Sequence, residues 1–217
     1  MLTTLAEKVD PRNAAVIVID VQNDFAHEDS PYTKRYEDLS RVQNAAKRLD
    51  KLIANAREAG TLVVFVQNVT RPGSRTDVQM EQAMRVGIAD PSRSICQEGT
   101  WGSEFYIVSP KEGDLVVQKT RYSAFINTDL KQILDARGIK TLIMTGISSN
   151  TCVESTSRDG FMLDYYVVFV DDCAGDFTKE WHEGAVRNIE LRFGLVTKAD
   201  EIERIWAEVA PPIAAPA

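Results

Sequence analysis

Apolar residues fall along this chain in two alternating rhythms. Short, largely apolar runs rich in Val and Ile occur at Ala14–Ile19, Thr61–Val66, Asp114–Gln118, Thr141–Thr145, Tyr165–Val170 and Gly194–Val196. Runs of this length with little polar alternation predict strands covered on both faces. Between them the spacing lengthens to three and four. Leu39–Ala59 sets Leu39, Val42, Ala45, Ala46, Leu49, Leu52, Ile53 and Ala56 on one helical face, with Gly60 placed as a C-cap. Helices are predicted likewise at Asn127–Arg137 (closed by Gly138), Thr151–Leu163, Lys179–Leu191 and Lys198–Val209, with a shorter piece around Val78–Val86. Val21–Tyr36, broken by Pro31, reads as a loop. The stretch 67–101 holds Pro72, Gly73, Pro91 and Gly99 and reads as an irregular insertion. Insertions of that length in a compact domain are more often functional than idle. The tail 211–217 is expected to fray. Strands alternating with helices imply right-handed crossovers and a mostly parallel sheet. The expected fold is therefore α/β, a three-layer α/β/α Rossmann-like domain of about six strands over residues 1–217.

Composition narrows the function classes. The 217 residues are 44% apolar and 26% charged, as in soluble globular proteins. A net charge of −7 without a dense basic run argues against nucleic-acid binding. Met1–Asn13 is polar and lacks the apolar core of a signal peptide, and no apolar run approaches a membrane span. The expected location is the cytoplasm, with no membrane partner. Three cysteines in irregular spacing build neither a disulfide framework nor a zinc site. His27 and His182 do not stand in metal-ligand spacing. No G-x-G-x-x-G follows the first strand and no P-loop or G-x-S-x-G occurs, so nucleotide binding and a Ser-His-Asp triad lose their main support.

The candidate chemistry lies at predicted strand ends. The run from Thr141 turns at Gly146, passes Ser148, Ser149 and Asn150, and enters the predicted helix with Cys152 in its first turn. Free backbone N–H groups and the helix dipole favour an anion there, so a lowered thiol pKa and a nucleophilic sulfur are expected. Most free cysteines are only small buried hydrophobes, and Cys96 and Cys173 lack comparable surroundings. Asp20 ends the first strand and Lys119 the third. Either alone reads as a surface residue. Together with Cys152 they share the carboxyl edge of the sheet, where ligands of such folds bind.

Three segments, Val16–Phe25, Lys119–Phe125 and Thr145–Val153, resemble in order and spacing the isochorismatase-like cysteine hydrolases, and the likeness spans roughly residues 13 to 205. The resemblance assigns an Asp-Lys-Cys triad to Asp20, Lys119 and Cys152, and a cis peptide between Ile147 and Ser148. Nicotinamidases of this group bind a metal through an Asp-x-His-x-x-x-His motif, whereas residues 66–118 hold no histidine. True isochorismatases lack the cysteine, so its presence points to C–N hydrolysis. The segments Gly99–Trp101, Lys119–Thr128 and Cys152–Phe161 look most like ureidoacrylate amidohydrolases, with biuret and triuret hydrolases as near relatives.

The expected activity is therefore cysteine-dependent cleavage of a C–N bond in a small ureido or carbamoyl compound, through a thioester. The alternatives are a nicotinamidase-like or N-carbamoyl amino acid amidohydrolase, or a non-catalytic binder of the same fold. No metal or organic cofactor is expected. Backbone N–H groups of Ser148 and Cys152 are the expected oxyanion hole. Asn68, at the end of the second strand, is expected to meet the ureido group, as an Asn does in those amidohydrolases. Phe25, Trp101 and Tyr122 are expected to wall the pocket. Those enzymes carry an aromatic residue shortly after that Asn where this chain has Val69, Thr70 and Arg71, which leaves triuret or another carbamoyl compound open. Arg71 and Arg75 are candidates for a substrate carboxylate. Members of the group assemble as homo-oligomers, so a dimer or tetramer is expected.

Overall fold

The computed structural model describes residues 1–87 and 95–209. In chain order its elements are α1 (Leu5–Lys8), β1 (Ala14–Ile19), α2 (Asn23–Ala26), α3 (Ser40–Glu58), β2 (Leu62–Asn68), α4 (Asp77–Arg85), β3 (Leu115–Lys119) and α5 (Leu130–Ala136). There follow β4 (Thr141–Ile147), α6 (Glu154–Met162), β5 (Tyr166–Gly175), α7 (Lys179–Arg192), β6 (Leu195–Thr197) and α8 (Ala199–Val209). The sheet has six strands in the order β3-β2-β1-β4-β5-β6, and every adjacent pair is parallel.

Strand side chains alternate between two cores. Val16, Val18, Phe65, Ile143 and Val168 pack against Val42, Leu49, Leu52 and Ile53 of α3 and Ile202 and Trp206 of α8. Ile17, Ile19, Val64, Val66, Leu142 and Met144 pack on the other face, with Leu130 and Leu134 of α5 and Ile189 of α7. Both faces are thus covered, which is why β1 and β4 are buried at every position. The strand order reverses between β1 and β4, and that crevice is where such sheets take ligands.

Several boundaries differ from expectation. β5 runs ten residues, through Asp171 and Asp172, with a shift of register against β4 between Met144 and Gly146. The two acids read as a strand end because they are polar. In fact Asp172 accepts from the Ala199 N–H at the start of α8 and Asp171 meets His182 of α7, so each is satisfied by a helix packed on the sheet. Residues 21–36 are not plain loop, since they hold α2 and a 3₁₀ turn at Thr33–Arg35. α5 starts later than expected because Asn127 takes a left-handed φ of 57°, outside helical space. The 67–101 stretch contains α4, opened by a capping box of Thr76 and Gln79. Residues 211–217 lie outside the described residues.

Candidate active site

β1 delivers Asp20 in an unusual backbone state. Its φ is +50°, in the left-handed region that Asp tolerates better than most side chains, and its N–H still donates to Val66 O at 2.9 Å. Two strands away, β3 ends at Lys119, in register with Asn68 of β2. Its side chain reaches back across the sheet edge, and both residues are buried, at 0% and 2% exposure. Lys119 Nζ lies 2.7 Å from Asp20 Oδ2, 3.5 Å from Cys152 Sγ, and donates to Arg121 O at 3.0 Å. The Asp20–Lys119 contact is a buried ion pair.

Cys152 arrives from β4 across the cis peptide that the resemblance implied and then through a turn that the sequence did not predict. β4 continues to Ile147, the Ile147–Ser148 peptide is cis, and residues Ser149–Val153 form a single π-helical turn before α6 begins. Ser148 O accepts from both Thr151 and Val153 N–H at 3.2 Å, curling the turn around the sulfur. Cys152 therefore precedes the α-helix instead of occupying its first turn. π-turns of this kind occur often at functional sites.

The electrostatics also correct the expectation of a lowered thiol pKa. Burial pushes the Cys152 thiol up, Lys119 pulls it down, and the Asp20 carboxylate beside it pushes it up again, leaving it well above its usual value. Burial likewise raises Asp20 against the pull of Lys119 and Cys152. For Lys119 burial favours the neutral amine, but Asp20 and the sulfur together outweigh it and hold the ammonium form. A buried ammonium without a counter-charge would be strongly unfavourable. Burial thus favours the neutral thiol and gives Asp20 a higher proton affinity than an ordinary Asp, while Lys119 keeps its ammonium form.

The sulfur opens on a cavity of about 590 Å³. Phe25, Asn68, Tyr122, Ser148 and Cys152 line it, as does Lys119, while Asp20 sits behind them fully buried. The Asn68 backbone is fixed on both sides by the buried Gln22 amide, which accepts from its N–H at 2.8 Å and donates to its carbonyl at 3.0 Å. Trp101 is not among the lining residues. It is 44% exposed and packs edge-on against His27, 4.9 Å between ring centroids, because the 3₁₀ turn Trp101–Ser103 carries it outward. Arg71 also turns away, paired with Glu98 at 2.8 Å and with Gln118, whereas Arg75 lines the cavity.

Some lining residues had no sequence signal strong enough to single them out. Tyr32, Tyr36 and Phe177 form an aromatic wall, with Tyr36 and Phe177 stacked at 4.1 Å. Arg35 and Arg121 add two cations, the Arg35 guanidinium lying 4.4 Å from the centre of the Tyr32 ring. Asp176 follows β5 directly at the same sheet rim, so a longer strand prediction would have exposed it. Among the described residues no group of three or more His, Cys, Asp or Glu gathers as a metal site, and no helix is long and apolar enough to cross a membrane.

The sequence profile of the Isochorismatase domain matches residues 14–201. The ureidoacrylate amidohydrolase RutB of Variovorax paradoxus (strain S110) is 36% identical over 207 residues, covering 90% of this chain and 82% of that protein. The enzyme of the same name from Caulobacter vibrioides (strain ATCC 19089 / CIP 103742 / CB 15) is 34% identical over 215 residues, covering 94% and 95%. Among solved structures, a cysteine hydrolase from Pseudomonas syringae pv. phaseolicola 1448A superposes with a TM-score of 0.81 at 25% identity, covering 93% of this chain and 95% of that one. This chain belongs to the isochorismatase family.

Proposed function

We propose that this hydrolase of non-peptide amide C–N bonds works through Cys152 on a small ureido or carbamoyl compound, forming a thioester. The observation that carries the reading is the buried line Asp20–Lys119–Cys152, 2.7 Å and 3.5 Å long, ending in a sulfur on the cavity wall. Asp20 takes the thiol proton as the sulfur attacks the carbamoyl carbon. Its raised proton affinity suits it to that task better than an ordinary carboxylate. Lys119 keeps its charge throughout, holding Asp20 in place and favouring the sulfur anion as it forms. Backbone N–H groups of Ser148 and Cys152 receive the oxyanion, and losing one such donor typically slows turnover by about a hundredfold or more. The C–N bond then breaks and Asp20 returns the proton to the leaving nitrogen. Asp20 next draws a proton from water, which cleaves the thioester to carbamate and restores the thiol. Asn68 meets the ureido group, with Phe25 and Tyr122 as walls. None of these steps calls on a metal or organic cofactor.

The name of the curated relatives makes ureidoacrylate the first substrate to try, and its carboxylate suits the cationic lining. The test is ammonia release from ureidoacrylate, biuret, triuret, an N-carbamoyl amino acid and nicotinamide, by wild type and Cys152→Ala. The expected result is release from at least one ureido compound, reduced by about a thousandfold or more in the variant. Release that survives the substitution, or that is confined to nicotinamide, contradicts the reading.

A further inference from the structure

Next to the nucleophile turn lies a second polar line that the reaction does not use. His182, on α7, places Nε2 2.9 Å from Asp171 Oδ1 and Nδ1 3.1 Å from Ser149 Oγ. Ser149 Oγ in turn donates to Asp176 Oδ2 at 3.0 Å. The Asp–His–Ser order resembles a serine-hydrolase triad, but Ser149 is fully buried and spends its proton on Asp176, so it is no nucleophile. Asp176 also accepts the Asn150 N–H at 2.8 Å and the Phe177 N–H at 2.9 Å. The line thus ties α7 and β5 to the turn that carries Cys152.

Its contacts can be counted in protons. Each of the three side-chain contacts needs one hydrogen between its two atoms. Two carboxylates bring none, a neutral imidazole brings one and the Ser149 hydroxyl one. The line is then one proton short, and two acceptors would face each other at one contact. We propose that the Asp171–His182–Ser149–Asp176 line retains one extra proton, and that in this loaded state it clamps the nucleophile turn, making Asp171 and His182 positioning residues. Burial raises Asp176 while the His182 hydrogen bond lowers Asp171, so Asp171 is not where the extra proton sits. The other charges nearby are Lys198, which acts on Asp171 from beyond β6, the exposed pair Lys179–Glu183 on α7, and the Glu154–Arg158 pair on α6, reached through Asn188. When the extra proton leaves at alkaline pH, one contact turns repulsive and the turn loosens.

This inference rests on Cys152 as nucleophile, and its test uses whichever ureido compound the ammonia-release assay shows to be turned over. Asp171→Asn supplies an amide hydrogen to Nε2, so all three contacts are filled without the extra proton. The expected result is an alkaline fall of kcat in the wild type that disappears, or moves up by about one pH unit or more, in the variant. KM stays within about twofold, because the lining is untouched. If Asp171→Asn does not fold by circular dichroism, His182→Gln, which cannot titrate, takes its place with the same expected loss of the alkaline limb. A wild type with no alkaline fall, or a fall unchanged in the folded variant, overturns the clamp while leaving the Cys152 chemistry standing. Activity that survives Cys152→Ala overturns both.

Discussion

Asp20 combines a left-handed backbone, complete burial and an ammonium 2.7 Å away. Each of these has a sign for catalysis. Burial favours the protonated acid, Lys119 favours the carboxylate, and burial prevails, so the proton affinity lies above that of a free Asp. As the proposed base, Asp20 works only when deprotonated. As pH falls, activity is therefore lost earlier than an ordinary Asp, with a pKa of about 3.9, would lose it. A kcat/KM profile should show its acid limb above that value, and Asp20→Asn should abolish the activity that generates the limb. The neutral resting thiol of Cys152 follows from the same surroundings. In the proposed reaction the sulfur becomes a nucleophile by passing its proton to Asp20, without standing as a free thiolate.

Among the elements, the β4 turn depends on Gly146. Its φ is +113°, and a Cβ there would lie 2.1 Å from Ile19 O of β1, the strand that delivers Asp20. Gly146→Ala forces the two central strands apart where Asp20 and the turn carrying Cys152 come together. The expected loss of stability is more than about 2 kcal/mol by denaturant unfolding, with activity reduced in whatever protein remains folded. The sequence showed this region well where side-chain type and strand position coincide. Asp20, Lys119 and Cys152 were legible because each follows a Val- or Ile-rich run, and the three runs end on one edge. Asp176 and His182 were not, because β5 hides two acids inside its length and its true end carries no apolar contrast. Trp101 was misplaced for a related reason, since its side-chain type says pocket wall while the 3₁₀ turn that aims it outward leaves no periodic signal. The π-turn was equally silent, as its residues also suit an α-helical start.

Taken whole, the molecule is acidic, yet its cavity is not. Against a net charge of −7, the described lining carries Arg35, Arg75 and Arg121, with Asp176 as the acid and Lys119 balanced by Asp20. Cations held in a recess of an acidic protein act on a substrate's charge, and salt screens that attraction. Arg35→Gln should lower kcat/KM for a carboxylate-bearing ureido compound by about tenfold while leaving an uncharged one within about twofold. Equal losses on both substrates would assign Arg35 to packing against Tyr32 alone.

The proposed thioester is most directly read by turnover in the presence of hydroxylamine, which intercepts an acyl-enzyme whichever step limits the rate. The expected result is an N-hydroxyurea-type product that replaces carbamate in proportion to the hydroxylamine present, with none formed by Cys152→Ala. Continued release of ammonia with carbamate as the undiverted product would contradict a covalent route through Cys152.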